Sequence, residues 1–158
     1  MHTLGEVVAD LLEEAYLAEY YESTWFKDND PESSLLLTLD QLTHEQASRK
    51  PAVGRYTVAA HAAHVLFALE VGLAYARGEQ PRPDWESSWG TSSVDEEGWA
   101  RLREDLRRKA KEWIAFVRKV PTLPEDPNHA RGLLGSLAHA AYHLGAVRQL
   151  VADVMKRS

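Results

Sequence analysis

The sequence predicts an all-α protein, a bundle of four long helices. Apolar residues recur at three- and four-residue steps almost throughout the chain. No segment shows the two-residue alternation of a half-buried strand. Proline and glycine gather between the periodic stretches. With 158 residues, the chain suits one domain, residues 1–158, around a single core.

The elements follow in order. Leu4, Val7, Val8, Leu11, Leu12, Ala15 and Tyr16 predict an amphipathic helix over 3–21. A polar loop with Asp28, Asn29 and Asp30 comes next. Asp30-Pro31-Glu32 reads as a helix start, because Asp caps and Pro fits the first turn. A short piece then runs through Leu35, Leu36, Leu39 and Leu42, until Lys50-Pro51 and Gly54 break the chain. Thr57 caps the next helix, which continues to about Arg77. Its inward stripe is predicted to be Ala60, His64, Phe67 and Val71, flanked by His61 and Ala68. Residues 78–93, with Pro81, Pro83 and Gly90, form a linker long enough to cross the end of a bundle. Val94 to Val120 places Trp99, Leu102, Leu106, Ala110, Trp113 and Val117 on one helical face. After Pro121, Pro124 and Pro127, a last helix over 128–156 is apolar around most of its circumference, which predicts a central position.

Composition removes several functions. The net charge is -6, which opposes phosphate backbones. Arg107-Arg108-Lys109 sits among Glu104, Asp105 and Glu112, a solvated mixed-charge face, so no nucleic-acid partner is expected. Without cysteine there is no disulfide, no thiolate zinc site, no iron–sulfur cluster and no cysteine nucleophile. Glu6, Asp10, Glu13 and Glu14 interrupt the N-terminal apolar residues, unlike a signal peptide. No unbroken apolar run approaches the roughly 18–20 residues of a membrane span. The expectation is a cytoplasmic protein with no membrane partner.

The histidines carry the chemical information. His139 and His143 are four apart, so both imidazoles leave one face of the last helix. His61 and His64 are three apart on another helix. Both pairs lie among small residues, in Ala59-Ala60-His61-Ala62-Ala63-His64 and Ala138-His139-Ala140-Ala141-Tyr142-His143. Small side chains let helix axes approach closely, as a bridging ion requires. Neutral imidazole suits a divalent zinc, nickel or iron ion. Satisfied core or surface histidines are the competing reading. Spacing does not choose between His61 and His64. His2, His44 and His129 fall near termini or loops and are expected in solvent.

Two stretches resemble the DinB-like superfamily, to which metal-dependent hydrolase activity is ascribed. Thr57-Val58-Ala59-Ala60-His61-Ala62-Ala63-His64-Val65-Leu66 resembles its second helix. His139-Ala140-Ala141-Tyr142-His143-Leu144-Gly145 resembles its last-helix motif. Thr24-Trp25-Phe26 with Asp28-Asn29, and Asp84-Trp85 with Trp89, resemble one bacterial branch. The resemblance covers nearly the whole chain. It implies a four-helix bundle with a long crossover, usually a homodimer, and a triad of histidine ligands. In that family the first ligand follows about eight residues after an aromatic that opens the helix. Tyr56 occupies that opening here, which implies His64, His139 and His143 as the metal ligands and leaves His61 as a neighbour.

Three protein ligands leave coordination positions open, as catalytic sites do. The expected activity is metal-dependent hydrolysis or transfer of a low-molecular-weight thiol to a small molecule. The alternative is a non-catalytic, metal-stabilised dimeric binding protein. No general base is identifiable: Glu70, Arg148 and Tyr142 all turn away from the ligand faces. Trp25, Trp85 and Trp89 are expected to plug the core, with pocket lining as the second reading. A di-iron carboxylate bundle needs Glu three residues before a histidine, and Val58, His61, Ser136 and Ala140 occupy those positions. A zinc-protease helix needs Glu after the first histidine, where Ala140 stands.

Overall fold

A computed structural model describes residues 1–17, 23–26, 30 and 32–157. Within these residues the chain is all-α. The helices are α1 (Leu4–Tyr16), α2 (Leu35–Asp40), α3 (His44–Ala47), α4 (Val58–Ala76), α5 (Glu96–Val117) and α6 (Pro127–Lys156), with a 3-10 turn at Ser87–Trp89.

Capping residues set most of the boundaries. The Thr3 hydroxyl accepts from the Glu6 amide while the Glu6 carboxylate accepts from the Thr3 amide, a reciprocal box that starts α1. Thr57 opens α4 by accepting from the Ala60 amide. Asp95 opens α5 through the Gly98 amide, and Asp126 opens α6 through the amides of Asn128 and His129, with Pro127 in the first turn. The short helices depart from expectation. Asp30 caps a local turn, accepting from the Glu32 amide, and α2 begins later, at Leu35 after Ser34. A second capping box, Thr43 with Gln46, starts the unforeseen α3. The predicted first helix reached residue 21, but α1 ends at Tyr16. Residues 18–21 of that helix, together with Asp28, Asn29 and Pro31, lie outside the described residues.

The four long helices pack in a ring: α1 against α5 and α6, and α4 against the same two, with α2 seated on α5 and α6. The core between them includes Leu12, Leu36, Val65, Leu106, Leu144 and Val147, each essentially inaccessible. Burying one such side chain contributes about 1.5–3 kcal/mol. Both buried tryptophans on α5 also satisfy their indole N–H: Trp99 donates to the Leu42 carbonyl at 2.9 Å and Trp113 to the Ser136 hydroxyl at 3.1 Å. The buried Glu14 carboxylate accepts from the amides of Trp25 and Phe26, each at 2.7 Å, and so anchors the loop after α1. Gly5 marks the tightest approach. Its amide, unpaired within the first turn of α1, donates to the Val120 carbonyl at 2.9 Å just past the end of α5.

Two stripe assignments need correction. The core-facing stripe of α4 is Val58, Ala62, Val65, Leu69 and Leu73, whereas Phe67 and Val71 are half-buried. With so many small apolar residues around α4, periodicity alone could not orient it. The last helix is not buried all round. Leu134, Tyr142 and Met155 are exposed, in line with the exposed Gly135, Ala138 and Gly145. Its apolar circumference therefore includes a face that the described residues leave exposed.

Among the described residues, Val58–Ala76 alone has the length and mean hydropathy of a membrane span; 56% of its most apolar 18-residue window is buried inside the fold. His61, His64 and Glu70 interrupt its apolar run. It packs between α5 and α6.

Candidate metal centre

The N-terminal half of α4 faces the middle of α6, and the buried Ala60 and Ala140 keep both faces thin there. His64 and His143 are buried and His139 half-buried. The ring centroids lie 5.2 Å apart for His64 and His139, 5.0 Å for His64 and His143, and 4.4 Å for His139 and His143. One nitrogen from each of these three rings falls within 4.8 Å of the other two, so the trio could hold a metal ion. The Nε2 atoms of His64 and His139 are 3.1 Å apart. Two nitrogens each about 2.0–2.1 Å from one ion stand roughly 2.8–3.4 Å apart at right-angled to tetrahedral coordination. The observed spacing fits that range.

His61 stands beside the trio. Its Nδ1 lies 3.1 Å from His143 Nδ1, where one ring donates and the other accepts. The remaining histidines are elsewhere: His2 lies near Glu6, His44 beside Glu45, and His129 near Asp126. Glu70 is exposed, turned from the ligand face as its position on the helix predicts, whereas Tyr142, for which packing is the default expectation, is 70% exposed.

An aromatic shell closes one side. Trp89 stacks flat on His64, with centroids 3.9 Å apart and planes at 14°, and its other neighbour Tyr56 stacks at 4.2 Å. It also meets His61 edge-on at 5.1 Å. Trp85 reaches Phe67 at 5.4 Å and lies 6.2 Å from His64. The expectation of core plugs is thus corrected for all three loop tryptophans. Trp89 lines the histidine cluster, Trp85 is 46% exposed, and Trp25 is 79% exposed. The 78–93 linker crosses between the long helices and its 3-10 turn lands on the histidines, so its tryptophans meet the site and not the core. The same turn supplies a residue that spacing arguments missed. Ser88 Oγ sits 2.7 Å from His64 Nδ1 and donates to the Trp85 carbonyl at 2.6 Å. A lone serine in a polar linker carries no spacing signal; only the flanking Trp85 and Trp89 mark the segment.

Burial sets the protonation state. It is the main cause lowering His143 to about 3 and His64 to about 4, and repulsion from neighbouring histidines lowers both further. Burial also lowers His61 and His139. All four rings are therefore neutral near pH 7, the form that ligates metal. Their folded-state values lie below the unfolded value of 6.5, so between those limits the unfolded chain binds more protons. Stability is full above about pH 6.5 and falls as pH drops toward 4 and then 3. The thermal midpoint of metal-free protein should decline steadily from pH 7 to pH 4; a flat profile would contradict the buried neutral rings.

A family model described as the DinB superfamily matches residues 32–150, a span holding all three clustered histidines as well as Ser88 and Trp89. No curated protein and no solved structure matches the chain.

Proposed function

The chain belongs to the DinB superfamily, and from that premise we propose that His64, His139 and His143 hold one divalent metal ion and that the protein is a metal-dependent enzyme acting on a small molecule. The carrying observation is the convergence of three neutral imidazoles within 4.8 Å. Three ligands leave room on the ion for water or a substrate atom. When bound, such an ion supplies Lewis acidity that ionises a water or a low-molecular-weight thiol near neutral pH. Hydrolysis and thiol transfer are the two reactions this serves.

The chain's own residues do the rest. Burial keeps His64 and His143 unprotonated, so lone pairs are available without first expelling protons. Trp89 covers one face of His64 and limits water there. Small side chains at the buried Ala60 and Ala140 suit a close approach of the two helices, and His64 Nε2 stands 3.1 Å from His139 Nε2. Elemental analysis of untagged protein tests the ion, and zinc, nickel and iron are the candidates. Turnover of activated esters, and of electrophiles with thiol cosubstrates, tests the chemistry. Metal at one ion per chain with neither activity would favour the non-catalytic, metal-stabilised reading.

The protein is proposed to be a homodimer in the cytoplasm. Supporting the dimer is the exposed stripe of α6, where Tyr142 is 70% exposed beside the small residues Ala138 and Gly145. An exposed apolar stripe of this kind suits a self-complementary interface. Tyr142→Glu is expected to shift sedimentation from dimer to monomer, and a wild-type chain that stays monomeric at high concentration would refute the assembly.

A further inference from the structure

We propose that Ser88 is a positioning residue that fixes the tautomer of His64 and thereby aims Nε2 at the metal; this rests on the metal reading above. The available protons decide the tautomer. A serine hydroxyl has one proton and accepts through its lone pairs. The Trp85 carbonyl is acceptor-only and lies 2.6 Å from Ser88 Oγ, so the hydroxyl proton is committed there. At 2.7 Å from the same oxygen, His64 Nδ1 must then be the donor. A neutral imidazole with its proton on Nδ1 has its lone pair on Nε2. That Nε2 is the atom facing His139 Nε2 at 3.1 Å.

The surroundings hold this relay in place. Ser88 is buried and belongs to the same 3-10 turn as Trp89, whose indole lies flat on the His64 ring. Stacking fixes the ring plane while the hydroxyl fixes which edge points outward. The crossover thus does more than connect α4 to α5: it selects the ligating edge of a residue 24 positions away in sequence. Partners of this kind, hydrogen-bonded to the far nitrogen of a ligating histidine, typically account for 10–100-fold in metal affinity.

The test has two arms. In metal-free, nitrogen-15-labelled protein, long-range proton–nitrogen correlation spectra should show His64 protonated at Nδ1. Ser88→Ala should move that proton wholly or partly to Nε2. In zinc titrations against a competing chelator, Ser88→Ala should bind about 10–100-fold more weakly, while Ser88→Thr, which keeps the hydroxyl, should bind within a few-fold of wild type. The thermal midpoints of the metal-free variants separate loss of aim from loss of fold. His64 protonated at Nε2 in the wild-type chain would overturn the proposal, and this measurement needs no variant to fold. Equal zinc affinity in wild type and Ser88→Ala would overturn the role of Ser88 alone. Failure of the wild-type chain to take up zinc, nickel or iron would overturn the metal reading and the proposal with it.

Discussion

The His143→Ala protein is expected to retain no stoichiometric divalent metal after gel filtration, where the wild-type chain should retain about one ion. His143 is the most buried of the three rings, at 2% exposure, and its centroid is close to both other members of the trio. Removing it leaves two imidazoles, His64 and His139. Loss of an outer partner alone costs about 10–100-fold in affinity, so loss of a ligand should exceed that range. The variant should also become less acid-sensitive in its metal-free form. The His143 ring is kept neutral by burial and held at about 3, and its protonation demand disappears with it. Inductively coupled plasma analysis and thermal melts from pH 7 to pH 4 read both effects. An unchanged metal content would place the ion elsewhere.

Gly5→Ala is expected to be the most destabilising single-methyl change in the described chain, by about 3 kcal/mol or more, within the range that severe overpacking costs. A Cβ at this position would collide with the carbonyl oxygens of Val117 and Val120 and come within 2.9 Å of the Val120 amide nitrogen. These are backbone atoms at the C-terminal end of α5, so no side-chain rotation relieves the clash. Either α1 lifts from α5 or the turn at Val120 unwinds, and both sacrifice the hydrogen bond between the Gly5 amide and the Val120 carbonyl. Gly132→Ala on α6 is the control. Nothing lies within 4 Å of its would-be Cβ, and relief of backbone entropy should stabilise the helix by about 0.5–1 kcal/mol. Urea unfolding of the pair measures the contrast; a Gly5→Ala chain as stable as wild type would mean the α1–α5 contact is looser than described.

Much of this was legible in the residues. Thr57 announced α4, and the step from His139 to His143 announced a shared face, because both signals are local in sequence. The all-α class followed from periodicity alone. The short helix α3 leaves no such signal, since four residues are too few for periodicity to rise above a loop. The orientation of α4 is not legible in its periodicity, because its alanines make several faces look alike. Ser88 was invisible for a different reason: its role depends on where a crossover lands, and landing points are set by tertiary packing. Choosing His64 over His61 needed the family resemblance; the structure then placed His61 against His143, outside the trio.

The contact between His64 and His139 joins residues 75 positions apart, in a chain without a single cysteine. An ion held there is a reversible crosslink, available to the folded chain and lost on unfolding. Its contribution grows with free metal as RT ln(1 + [L]/Kd), about 2.7 kcal/mol when the concentration is 100 times Kd. The amount of intact protein in a cell would then track the supply of its ion. Starvation for that metal would act first as shortened protein lifetime, through proteolysis of the unfolded fraction.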